Sequence, residues 1–255
     1  SVFPFEITYI KPVKKTRNKP EVKEEVKKLK FVDERLLPTP IIALSQVKKE
    51  IDYMMSLVEA NIQTSFIAMQ TGNAEYSEQI VKNEAVIDFT NSELTKYLIK
   101  LSADVEESDE KTIGSYFHVL NDLERIGDHA ENFHEIGIEM ISRKLTFSEK
   151  AIGDIMAMRD TMMEMLSLSK DAFANLNKNH LSDLAQLEEK VDGMKKQLIT
   201  SHFARLAEGN CSVDVSPYYS SVVIGLERVA DHLVNIGFSI VNPTGSQKEN
   251  LLGDD

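Results

Sequence analysis

The chain has 255 residues, 42% of them hydrophobic and 27% charged, with a formal net charge of −12. That is enough apolar mass for a sizeable core, the single cysteine (Cys211) excludes an internal disulfide, and no apolar run reaches the ~20 residues that cross a bilayer. Nine of the 29 basic residues fall between Lys11 and Lys30 against three of the 41 acidic ones, so the remainder is strongly acidic, which argues against a nucleic-acid partner and suits cations.

The chain opens with "SVFPFEITYI" and a basic stretch interrupted by Pro12 and Pro20. Proline breaks helices, so residues 1–37 are expected to form an extended basic arm or juxtamembrane linker, near an anionic membrane surface. "LPTP" (Leu37–Pro40) ends it. Apolar residues then step by three and four: Leu44, Val47, Ile51, Met54, Val58 and Ile62 predict a helix that "TGN" (Thr71–Asn73) closes. A second helix is predicted over 75–101, with Ile80, Ile87, Leu94 and Leu98 inward. "SADVEESDEK" is read as an acidic loop. A third is predicted over 112–142, with Tyr116, Leu120, Leu123, Ile126, Ala130 and Gly137 inward.

"LTFSEK" (Leu145–Lys150) marks a second boundary, with Ser148 as N-cap. Three more helices are predicted: 149–176 with Ile152, Ile155, Met162, Leu166 and Phe173 inward; 181–206 with Leu184, Leu187, Val191, Met194 and Leu198; and 218–241 with Val222, Leu226, Val229, Leu233 and Ile240. The methionines at helical spacing are read as core filling. Residues 243–255 are expected to be a flexible tail. The fold class is therefore all-α: six long antiparallel helices as two tandem three-helix bundles, residues 38–145 and 146–242.

The two halves share motifs. "LERIGDHAEN" (Leu123–Asn132) matches "LERVADHLVN" (Leu226–Asn235) at an offset of 103. On the preceding helix of each half, "NEAVID" carries Glu84 and Asp88, and "LEEKVD" carries Glu188 and Asp192, at an offset of 104. Two motifs in the same order at nearly one offset imply an internal duplication.

Each half thus holds two Glu-x-x-x-Asp pairs: Glu84/Asp88 with Glu124/Asp128, and Glu188/Asp192 with Glu227/Asp231. Residues i and i+4 share a helix face, and like charges there are unfavourable. If the two helices of each half are neighbours, four carboxylates converge, and all-oxygen donors suit hard cations such as magnesium, manganese or oxidised iron. The alternative is a solvated acidic stripe paired with Arg125 and Arg228. His129 and His232 follow their aspartates by one residue and point about 100° away, so they are expected to flank the site or bond a neighbouring helix. His118, His134, His180 and His202 have no repeat partner and are expected in surface or interface roles. No phosphate loop, nucleophile elbow or Glu-x-x-His pair is present, so no enzymatic activity is expected; a carboxylate-bridged metalloenzyme is the remaining catalytic reading.

"DLERIGDHAENF" and "GLERVADHLVNI", each preceded by a Glu-x-x-x-Asp helix, resemble the PhoU family of phosphate-regulatory proteins. The resemblance implies two three-helix bundles, with Glu84, Asp88, Glu124 and Asp128 as one metal set and Glu188, Asp192, Glu227 and Asp231 as the other. Within it, Asp122 and Glu131 become Gly225 and Val234 in the second half, so the second set is expected to have fewer supporting carboxylates. "LKFVDERLLPTPIIALSQVKKEI" (Leu29–Ile51) further resembles the opening of the PhoU-like domain of bacterial Na⁺/phosphate cotransporter proteins. This implies a regulatory domain on the cytoplasmic side of the membrane, partnered by a transporter unit of the same polypeptide and by self-association, with no direct small-molecule substrate. A free-standing PhoU-type regulator of phosphate uptake is the alternative.

Overall fold

A computed structural model describes residues 28–71 and 74–242. The expected arm up to residue 27, the "GN" of the first turn and the tail from residue 243 lie outside the described residues. Six α-helices account for most of what is described: α1 (Pro40–Thr71), α2 (Ala74–Leu101), α3 (Glu107–Ser142), α4 (Glu149–Asn175), α5 (Leu181–Ala207) and α6 (Ser216–Phe238). No strand occurs among the described residues.

Local chemistry sets the ends. Ser148 caps α4, its hydroxyl accepting from the Ala151 amide at 3.2 Å. Leu176 closes α4 in the left-handed region at φ 53°, the conformation that commonly terminates helices. Helix α3 begins at Glu107, five residues before the expected start, and takes in part of the stretch read as a loop. Glu107, Asp109 and Glu110 occupy its first turn, where carboxylates favour the positive end of the helix dipole.

Helix α1 packs on α2 and α3, and α4 packs on α5 and α6, giving one three-helix bundle per half. Ile51, Met54, Phe66, Ile87, Leu94 and Leu120 fill the first core; Met158, Met162, Met165, Leu184, Val222 and Leu226 fill the second. The methionines are core fillers, as expected. Ile152 is an exception: it is 41% exposed. The buried stripe of α4 runs through Ala151, Ile155, Met158 and Met162 instead, at the three- and four-residue steps of one helix face.

The bundles join mainly through α3 against α6, with α1 touching α4. The apolar core is continuous across the joint. Lys170 pairs with Glu59 at 2.8 Å, and the Lys48 ammonium donates to the Ala174 carbonyl at the end of α4. Residues 30–33 are tied to the first bundle: Phe31 donates its amide to Glu50 Oε2 (2.8 Å), and Tyr97 donates its hydroxyl to the Asp33 carbonyl (3.2 Å).

Candidate functional site

The first acidic set lies on α2 and α3, and its four members differ in depth. Glu84 is only 6% exposed. Asn61 on α1 donates from Nδ2 to Glu84 Oε2 at 3.3 Å, and Asn83 in turn donates to Asn61 Oδ1 at 2.9 Å. Glu84 Oε1 is buried and accepts no hydrogen bond. Glu84 can sit this deep because α3 carries Gly127 opposite it: a Cβ there would lie 2.9 Å from Glu84 Oε1. Burial, then the charges of Asp88, Glu131 and Asp128, push the Glu84 pKa up to about 7. Burial and the Asp128 charge also raise Glu124, with Arg125 opposing them. Arg125 donates to Asp128 Oδ2 at 3.2 Å.

The second set, on α5 and α6, is tighter at its centre. Glu188, Asp192 and Asp231 each present a carboxylate oxygen, and the three oxygens lie within 4.8 Å of one another. No other trio of potential ligands this close occurs among the described residues. The fourth member, Glu227, stands apart. It is 7% exposed, and its Oε1 accepts from Lys195 Nζ at 2.6 Å. Its Oε2 is buried without a hydrogen-bond partner, with Arg228 Nε 3.8 Å away.

The two sets are therefore inverted in depth. The buried carboxylate comes from the second helix in the first bundle (Glu84) and from the third helix in the second bundle (Glu227). One substitution accounts for much of this. Gly127, where a Cβ would meet Glu84, becomes Ala230 at the matching position, and Glu188, the counterpart of Glu84, is only partly buried. Met165 and Leu187 replace Asn61 and Asn83, removing the amides that hold the deep carboxylate.

The donor types in both bundles are those a hard cation takes, but among the described residues only the second bundle brings three of them within 4.8 Å of one another. All donors are carboxylate oxygens, and each set includes a buried oxygen that accepts no hydrogen bond, on Glu84 and on Glu227, a costly arrangement for an ionised group.

Two of the histidines, His129 and His232, serve the joint between bundles. His129 and His232 face each other across α3 and α6 with ring centroids 6.3 Å apart. His232 Nδ1 lies 2.8 Å from Asp122 Oδ1, and Asn235 approaches the same oxygen at 3.5 Å. Asp122 was expected to support the first metal set; it holds the second half's histidine instead. Its counterpart is Gly225, where a Cβ would lie 2.6 Å from the Phe133 ring and 3.7 Å from His129 Nδ1. Glu131 does face the first set, since its charge raises Glu84. His134 pairs with Ser77 (2.6 Å) and His202 with Ser216 (2.8 Å), both within their own bundles.

Lys195 and Asn61 are site residues that motif reading did not single out. Aligning the halves at an offset of 104 sets Lys195 against Asn91 and Asn61 against Met165, so the signal lay in where the repeats differ.

Fold and site together define a tandem-repeat all-α protein with one carboxylate set on each repeat. The chain belongs to the PhoU domain family, whose sequence model matches twice, over residues 51–136 and 155–240. The chain is 25% identical over 199 residues to the phosphate-specific transport system accessory protein PhoU homolog 1 of Thermotoga maritima, covering 76% of this chain and 83% of that protein. It is 28% identical over 199 residues to the corresponding PhoU homolog of a Synechocystis strain, covering 76% and 86%. Among solved structures, PhoU from Pseudomonas aeruginosa superposes with a TM-score of 0.72 at 21% identity, over 78% of this chain and 96% of that one. The phosphate transport system regulatory protein PhoU from Streptococcus pneumoniae gives 0.71 at 21% identity, over 80% and 95%.

Proposed function

We propose that this protein is a PhoU-type regulator of phosphate transport that acts by binding rather than catalysis, with a metal ion held on each carboxylate set. Support for the first part is the double family match and relatives named as phosphate-specific transport accessory proteins. Its partner is then a phosphate transporter, met from the cytoplasmic side. Support for the metal is the oxygen trio of Glu188, Asp192 and Asp231 in the second bundle, and one buried carboxylate oxygen without a hydrogen-bond partner in each bundle, on Glu84 in the first and Glu227 in the second. Glu124, Asp128 and Asp88 complete the first set. Iron, magnesium and manganese all suit such donors.

Elemental analysis of protein purified without added metal tests the second part. The expected result is bound metal that drops when Asp128→Ala and Asp231→Ala are combined. Metal-free protein, with both variants unchanged in thermal stability on adding manganese, would remove the metal from the reading. Expression in a cell lacking its own PhoU tests the first part: restored control of phosphate uptake is the expected outcome.

A second reading makes the chain the cytoplasmic domain of a Na⁺/phosphate cotransporter. Its support is the basic stretch after Lys11 and the "DERLLPTP" entry at Asp33–Pro40. No helix among the described residues is long and apolar enough to cross a membrane. The coding sequence before Ser1 decides it, since several apolar spans there would join the two units in one polypeptide.

A further inference from the structure

We propose that the Lys195 ammonium is a built-in competitor for the second carboxylate set, so that the two sets bind metal with different affinities and only the second must overcome a lysine in addition to the arginine that both sets carry. The inference rests on the metal reading above and concerns a residue outside both Glu-x-x-x-Asp motifs.

Each bundle buries one glutamate, and each neutralises it differently. Glu84 is held by the Asn61 amide, with no lysine or arginine among its hydrogen-bond partners. Glu227 is as deeply buried, and Lys195 sits on it at 2.6 Å with a side chain only 31% exposed. The position equivalent to Lys195 in the first bundle is Asn91, which carries no charge. Arg125 and Arg228 are common to both bundles, each on the aspartate three residues on. Lys195 is thus the cation that sets the bundles apart.

A divalent ion drawn to the trio of Glu188, Asp192 and Asp231 needs Glu227 as further negative charge. That carboxylate is already compensated by Lys195, and two cations sharing one carboxylate in a partly buried site repel each other strongly. The same ammonium replaces the metal when none is bound, keeping Glu227 from being an uncompensated buried charge.

Manganese titration of the full chain by calorimetry tests this, in two backgrounds. Asp128→Asn disables the first set and leaves the second to be read; Asp231→Asn does the reverse. Lys195→Gln is expected to tighten manganese binding at the second set by about ten-fold or more and to leave the first set unchanged. Lys195→Arg, which keeps the charge, is expected to stay near wild type. The metal-free Lys195→Gln protein should melt at a lower temperature than wild type, and manganese should close that gap. Equal affinity at the second set with and without Lys195, while manganese binds measurably, overturns the proposal and leaves the metal reading standing. A lowered melting temperature that manganese does not recover assigns Lys195 a packing role only and also overturns it. Absence of manganese binding in wild type and variants alike removes both.

Discussion

Glu84 is the residue where burial and charge conflict most openly. Its carboxyl is buried, faces three other carboxylates and has a pKa of about 7. A folded-state pKa above the unfolded value means that the folded protein holds the proton more tightly. The resulting stabilisation is complete below the ordinary glutamate range near 4.5 and is lost as pH rises to about 7. In metal-free protein, Glu84→Gln should therefore match wild type near pH 5 and be more stable at pH 8, on the order of 1–3 kcal/mol. Denaturant titrations with a chelator at both pH values check this; equal curves at pH 8 would mean that Glu84 ionises freely. A metal must displace that proton, so affinity at the first set should fall as pH drops below about 7. At this scale the motif residues were legible, because Glu-x-x-x-Asp repeats on neighbouring helices. The destination of Asp122 was not. It lies one position before Leu123, yet it points across the joint to His232, and that partner lies 110 residues away.

Helix boundaries came largely from period and caps, which are local. Helix α3 was misjudged at its start because its first turn is acidic and has no apolar stripe, while its stability there comes from the helix dipole. Close helix approaches were less legible, since a glycine in a helix does not say which backbone it meets. Gly137 lets α3 approach α1 so closely that a Cβ would fall 2.6 Å from Met69 Cα. A backbone atom cannot rotate away, so Gly137→Ala should cost about 1–3 kcal/mol. Thermal unfolding reads this directly. Gly127→Ala makes a softer conflict, because the Glu84 side chain can swing outward. It should lower the Glu84 pKa toward the ordinary range, measurable by carbon-13 NMR of the glutamate carboxyls, and make the first set resemble the second.

The whole molecule is held as one unit by α3 against α6, and the duplicated ten-mers meet there. Two bundles with a continuous core should unfold in one transition. Gly225→Val, which would drive a side chain into the Phe133 ring, is expected to split the calorimetric trace into two. A double-mutant cycle on Asp122→Ala and His232→Ala should give a coupling of about 1–2 kcal/mol, and its disappearance in Gly225→Val would place the joint, rather than either bundle, as the seat of that energy. None of this followed from periodicity, which assigns a face to each helix without naming the face it meets.

The pairing at the joint has the form of a self-association between equivalent units. Helix α3 meets its own counterpart α6, and α1 meets its counterpart α4, so like touches like as in an isologous homodimer. The short connection from Arg143 to Ser148 makes that encounter intramolecular and independent of protein concentration. Once joined, the halves no longer had to be identical. Gly225 against Asp122, the methyl of Ala230 against Gly127 and the ammonium of Lys195 against Asn91 are differences that a symmetric dimer of identical chains cannot have.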